Sequence, residues 1–237
     1  MLKIRNKSCL EYMVERVQKA NLIDNIIIAT TTKKIDTKII DFCIKNNLNY
    51  FQGSEEDVLE RFFFASNQFN ADIIVRLNSD CPLIDPKIID QVIEFFLKNK
   101  YDYVSNMFPR PSTFPNGMSV EVFSSKALTK AFNESVKPSE REHVTPYIWN
   151  NSKKFKIYKI NAKEDLSKFR LNLDYHDDYK LLKVILENLY SKERVFSLEE
   201  IIKFLEKNPK FLEINSHIKN DEGWEKSKNK DKISGYQ

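Results

Sequence analysis

The sequence predicts an α/β fold, three layers deep, with a mostly parallel sheet covered by helices and an antiparallel excursion late in the chain. Three observations carry this. Short apolar runs alternate with segments of helical spacing through residue 99, the pattern of βαβ crossovers. Ile26-Ile27-Ile28-Ala29 is a continuous, largely β-branched run, as in a strand buried on both faces. The stretch IVRLNSDCPLIDP (74–86) joins a buried strand, a polar turn around Asp80 and a helix start, with Asp85 as N-cap and Pro86 in the first turn.

In chain order, residues 9–20 place Leu10, Met13, Val14 and Val17 on one helical face. A strand follows at 26–29, a helix at 36–46 and a short strand at 48–51. Ser54 and Asp57 fit a capping box for a helix over 58–70. A strand at 73–77 and a helix at 87–99 complete the alternating part. Beyond it come a strand at 101–104, a proline-rich loop at 105–119 with the turn Asn116-Gly117, a strand at 120–123 and a helix at 126–133. A helix is expected from Ser139 through Trp149, then strands at 155–160 and 171–173, and helices at 178–190 and 197–206, the last capped by Ser197 and Glu200. From about Ile218 the chain is lysine-rich and its end is expected to be mobile. The expected division is an α/β domain over 1–190 and a C-terminal helical extension with a polar tail over 191–237.

With 237 residues, 41% of them hydrophobic, the chain is long enough for one substantial core. A net charge of +4, spread along the chain, does not point to nucleic acid. No apolar run approaches the roughly 20 residues of a membrane span. The three cysteines lack metal-ligand spacing and read as reduced thiols of a cytoplasmic protein.

Asp80 and Asp174 each follow a short apolar run, so both are expected at the carboxyl edge of the sheet, where ligands of open α/β folds bind. Two carboxylates with few other ligands suit Mg²⁺ held partly by substrate phosphates. Asp174 also reads as an ordinary turn or cap residue. Arg76 can meet an anionic substrate, or pair with Asp72 or Asp80. His143, in the cluster Arg141-Glu142-His143, suits a general base, a ligand contact or a capping role. Phe108, Phe114, Asn116 and Glu121 flank the proline-rich loop, which is placed to act as a specificity loop.

The segments LEYMVERV (10–17), IIIATTT (26–32), GSEEDVLERF (53–62), ADIIVRLNSDCPLIDP (71–86), FPNGMSVEVF (114–123), SEREHVTPYI (139–148) and LNLDYHDDY (171–179) together resemble the cytidylyltransferases of the spore coat polysaccharide biosynthesis protein F type. These are relatives of the acylneuraminate and 3-deoxy-manno-octulosonate cytidylyltransferases. The resemblance runs from about Leu2 to Trp224. It implies a Rossmann-like nucleotide-diphospho-sugar transferase fold and transfer of CMP from CTP to an acidic sugar, with Mg²⁺, for a surface polysaccharide or glycan. By position it implies catalytic, metal-binding roles for Asp80 and Asp174. It also implies substrate contacts at Asn116, Gly117, Glu121, Arg141, Glu142 and His143. Relatives are often dimers, which implies a homodimer through the segment 120–160.

The chain departs from that pattern in three places. Relatives open with a strand and a glycine-containing phosphate loop, whereas Met1-Leu2-Lys3-Ile4 aligns with the segment after it, and no glycine precedes Gly53. Relatives carry aspartate where Asn116 and Ser119 stand. A strand lost from inside a sheet leaves unpaired backbone groups, each costing about 1–3 kcal/mol. The expectation is therefore that coding sequence lies upstream, that the sheet rearranges, or that another chain fills the gap, the first being favoured. Two other readings stay open. One is a non-catalytic homologue acting as a sugar-binding or scaffolding partner. The other is a glycosyltransferase, which would want a D-x-D motif that the S-D-C-P around Asp80 does not supply.

Overall fold

The computed structural model describes residues 2–220 and 222–236. It opens with a hairpin, β1 (Lys3–Ile4) and β2 (Lys7–Ser8), turned by Arg5 and Asn6 at positive φ. Ser8 then caps α1 (Cys9–Val17) in a reciprocal box with Glu11. β3 (Ile27–Thr31), α2 (Thr37–Lys45) and β4 (Asn49–Gly53) form a βαβ unit whose strands pair in parallel from Ile27↔Asn49 to Thr31↔Gly53. α3 (Val58–Gln68) starts at Asp57, which accepts from the Glu60 amide, while Ser54 accepts from the Asp57 amide. The cap is thus Asp57 alone, one step inside the box expected from the sequence.

β5 (Ile73–Arg76) leads into the Asp80 turn and α4 (Pro86–Lys98), with Asp85 as N-cap and Pro86 in the first turn as expected. β6 (Tyr103–Ser105), β7 (Glu121–Ser124) and α5 (Ser125–Glu134) follow, then α6 (Pro138–His143), α7 (Pro146–Asn150) and β8 (Ile157–Lys159). The central sheet has the order β5-β7-β6-β8. β5, β6 and β8 run one way and β7 runs against them, so β7 is the antiparallel excursion. α8 (His176–Leu189), α9 (Leu198–Lys207) and α10 (Glu222–Ile233) complete the chain.

Side-chain alternation on the central strands builds two cores. Val104 and Val122 face α1, α4, α8 and α9, in a cluster with Tyr12, Ile89, Ile185 and Ile201. Tyr103 and Phe123 face the opposite side, with Leu59, Leu128 and Ile148 from α3, α5 and α7. These are three layers, and each fully buried aliphatic or aromatic side chain contributes about 1.5–3 kcal/mol.

Four local expectations are corrected. The helix expected over Ser139–Trp149 is two helices, because Val144 takes φ 74° and Pro146, which has no N–H to continue the first helix, opens the second. Residues 171–173 form no strand; an isolated bridge joins Asn116 and Arg170 instead. The lysine-rich end, expected to be mobile, folds as α10 and docks. Ile27, Ile28 and Ala29 are only half-buried, because no ladder joins the β3–β4 pair to β5 among the described residues.

Arg16 of α1 locks three elements together. It is 4% exposed, donates to the carbonyls of Ile84 (2.7 Å) and Phe196 (2.8 Å), and lies over the Phe196 ring. Burial holds its guanidinium down to about 10, against the opposing pull of Asp85 and Glu200, so it stays charged at neutral pH. Arg16→Ala strands two buried carbonyls and opens a cavity. The expected loss is about 3–5 kcal/mol, read as a lower urea midpoint with an unchanged slope.

Candidate functional site

Two turns and one irregular segment assemble the site. The turn after β5 is closed by Cys81 N–H to the Asn78 carbonyl and by Ile84 N–H to the Cys81 carbonyl. The proline-rich loop between β6 and β7 is closed by Asn106, whose side chain donates to the Met118 carbonyl and accepts from the Val120 amide. Residues 170–174 thread between them. Leu171 donates to the Asn116 carbonyl and Leu173 to the Asp80 carbonyl, both at 2.8 Å. Gly117, at φ 94°, lies against this segment so closely that a Cβ would sit 2.5 Å from the Leu171 carbonyl carbon.

Asp178, at the third position of α8, anchors the segment. It accepts two bonds from Arg170, at 2.8 and 2.9 Å, one from Asn215, and the amides of Asp174 and Tyr175. Burial works against its charge, but these donors outweigh it and hold the carboxyl below the usual range. The same guanidinium reaches Asp174 at 2.7 Å, and Asn172 donates to Asp174 at 2.6 Å. Asp80 has the opposite environment. Burial pushes its carboxyl up, and the charge of Asp174 adds to this, against a Cys81 thiol donating at 3.1 Å and the more distant Arg76.

Both aspartates line a cavity of about 320 Å³, within the size range of small-ligand sites. Arg76, Asn116, Gly117 and His143 also line it, so six of the nine residues singled out from the sequence converge there. The other three do not reach it. Glu121 is fully buried and bound by Arg76, Tyr103 and Thr145, and so holds Arg76 in place. Arg141 pairs with Asp57 and donates to the Phe132 carbonyl. Glu142 accepts from Lys230 and Ser227 of α10. The pairing considered between Arg76 and Asp72 or Asp80 is replaced by the ion pair with Glu121.

Sequence reasoning missed Arg170, Asn172, Trp149 and Trp224, all of which line the cavity. A charged residue between Phe169 and Leu171, and a tryptophan in a lysine-rich tail, were the available signals. The wall carries unspent polar capacity. Arg76 Nε, Trp149 Nε1 and Asn172 Oδ1 are buried atoms without a hydrogen-bond partner. Each costs about 1–3 kcal/mol until a ligand meets it, and together they offer donors and an acceptor to a hydroxyl-rich molecule. Burial holds the His143 imidazole below its usual value; its Nε2 lies 2.8 Å from Ser227 Oγ.

Comparison with known proteins adds to this geometry. A family model described as cytidylyltransferase matches residues 1–218 and so ends before α10. An uncharacterized protein of Methanocaldococcus jannaschii is 39% identical over 221 residues, covering 92% of this chain and 88% of the relative. The spore coat polysaccharide biosynthesis protein SpsF of Bacillus subtilis is 30% identical over 209 residues, 84% of each chain. Among solved structures, a cytidylyltransferase from Leptospira borgpetersenii superposes with a TM-score of 0.83 at 37% identity, over 89% of this chain and 88% of that one. CMP:2-keto-3-deoxy-manno-octonic acid synthetase complexed with CTP gives 0.58 at 12% identity, over 80% and 91%, a likeness of fold alone.

Two stability outcomes follow from the site's electrostatics. Glu121→Gln breaks a buried pair and leaves Arg76 uncompensated, with an expected loss of about 3–5 kcal/mol by chemical denaturation. Asp80→Asn should raise the melting temperature of the ligand-free chain. The Asp80 carboxyl lies above its usual value, so its charge penalises the folded state at neutral pH. The gain should shrink as pH falls through the raised value and vanish below the usual carboxylate range; an Asn variant melting lower than the parent at pH 7 contradicts this.

Proposed function

Because the chain belongs to the cytidylyltransferase family, we propose that it transfers CMP from CTP to a hydroxyl of an acidic sugar. The observation that carries the reading is the meeting of Asp80 and Asp174, from two separate segments of the chain, in a cavity whose wall holds unpaired donors and an acceptor. The sugar's acidity, and a role of the product in surface polysaccharide, rest on the likeness to SpsF and to relatives named 3-deoxy-manno-octulosonate cytidylyltransferase.

In the reaction the acceptor oxygen forms a bond to the α-phosphorus. The bond from that phosphorus to the bridging oxygen breaks, pyrophosphate departs, and the hydroxyl proton is lost to solvent. The chain's contribution is positioning and charge placement. Arg76 is held rigidly by Glu121 with its Nε unspent toward the cavity, and so can meet phosphate or sugar oxygens. Asn116 is fixed by Arg110, which donates to its side-chain oxygen at 2.7 Å.

The donor set suits Mg²⁺. Asp80 carries a carboxylate destabilised by burial and by Asp174, which a divalent cation relieves, and two carboxylates leave room for phosphate and water ligands. Asp80 and Asp174 would hold it. When bound, the ion supplies neutralisation of phosphate charge during the displacement. Among the described residues no group of three or more metal-ligating side chains exists, so phosphate and water oxygens would complete the ion's coordination.

Calorimetric titration with CTP and Mg²⁺ tests the reading. Mg²⁺-dependent binding is expected, weakening as pH falls through the raised Asp80 value, at a pH above that of an ordinary aspartate. Asp80→Ala should lower cytidylyl transfer on the order of 10²-fold or more. Absence of Mg²⁺-dependent CTP binding by the parent overturns the reading and moves a non-catalytic sugar-binding role to the front.

A further inference from the structure

The family match ends at residue 218, yet Lys219, Glu222, Gly223, Trp224 and Lys226 line the same cavity as Asp80 and Asp174. We propose that α10, together with Lys219, forms the wall that selects the acceptor, with Trp224 as a platform and Lys219 and Lys226 as the cations that hold the acceptor's carboxylate. This rests on the reading of the site as a nucleotide–sugar site and names the residues that choose the sugar.

The attachment of α10 is specific. Asp231 is buried and accepts from both the backbone N–H and the hydroxyl of Ser139. Ser227, 1% exposed, sits between His143 Nε2 at 2.8 Å and Glu142 Oε2 at 3.0 Å, and Lys230 reaches the same carboxylate at 3.0 Å. Glu222 accepts from the Tyr175 hydroxyl. The cluster Ser139–His143 is therefore the dock for α10, with Arg141 tying the dock itself to the start of α3. A polar helix with little apolar surface of its own is held in one place by buried hydrogen bonds.

Docked in this way, α10 brings Trp224 edge-on to His143, with ring centroids 5.2 Å apart, and at 60° to Trp149 at 5.5 Å. Trp149 keeps its unpartnered buried N–H in the same wall. An aromatic corner beside an unspent donor suits the C–H face and hydroxyls of a sugar ring. Lys219 and Lys226 are exposed and make no ion pair among the described residues, unlike Arg76 and Arg170, whose charges are committed to Glu121, Asp174 and Asp178. Both of these lysines lie on the part of the chain beyond the family match. That favours an anionic acceptor and separates its recognition from that of the nucleotide.

The test is calorimetry on the full chain, with 3-deoxy-manno-octulosonate and its carboxamide as probes and CTP with Mg²⁺ as an independent ligand. Trp224→Ala should weaken the acid about tenfold or more, with Trp224→Phe restoring most of it, while CTP affinity and the melting temperature stay near the parent's. The double variant Lys219→Ala, Lys226→Ala should lose the parent's preference for acid over carboxamide. Three results overturn the inference: no saturable binding of the acid by the parent, equal binding of acid and carboxamide, or unchanged affinity in Trp224→Ala. If CTP fails to bind while the acid is held through Trp224, nucleotidyl transfer falls and the acceptor wall stands.

Discussion

The clasp between Asp178 and Arg170 is the interaction on which the site depends. Asp178 is itself part of the first turn of α8, so the orientation of a long, well-buried helix is transmitted directly to a guanidinium. That guanidinium then fixes Asp174 and, through the segment it belongs to, the backbone positions of Asn116 and Asp80. A buried ion pair of this kind is costly to desolvate, and here the cost is offset by five hydrogen bonds to one carboxylate. Its product is less stability than placement: an irregular stretch with no ladder of its own is held to two turns from different parts of the sheet. Gly117 completes the arrangement by allowing backbone to lie on backbone where any side chain would intervene.

The two carboxylates of the site are prepared differently. Asp174 is half-exposed and accepts from two donors, so its position is defined. Asp80 is largely buried, close to another carboxylate and helped chiefly by a weak thiol donor, so its charge is under tension. A fold that tolerates such a group gives up some stability, a pattern common at functional sites. The central sheet can absorb this because both of its faces are packed, whereas the β3–β4 pair stands apart with half-buried strands.

What was legible in the sequence was mostly local. Asp85-Pro86 announced its helix, Ser197 and Glu200 announced theirs, and the period-two and period-3.6 patterns located nearly every element. Asp80 and Asp174 could be found because each follows an apolar run that had to become a strand or something extended. Arg141, Glu142 and Glu121 were placed in the site by analogy of position; the structure gives Arg141 and Glu142 partners outside the cavity and buries Glu121 behind Arg76. No local pattern distinguishes a charge that meets a ligand from one that braces a loop, since both need the same side chain at the same turn. Trp224 was out of reach for a different reason. Its role arises from Ser139 and Asp231, separated by most of a hundred residues, and a lysine-rich tail carries no periodic signal of where it will dock.

The chain contains two tryptophans, and both lie in the wall of the cavity that holds Asp80 and Asp174, with ring centroids 5.5 Å apart. All of its indole emission therefore originates at the site. Energy transfer and exciton coupling between the two rings depend on the seating of α10, and Trp149 changes its surroundings when its N–H finds a partner. A ligand seated there would therefore register in the near ultraviolet without any label.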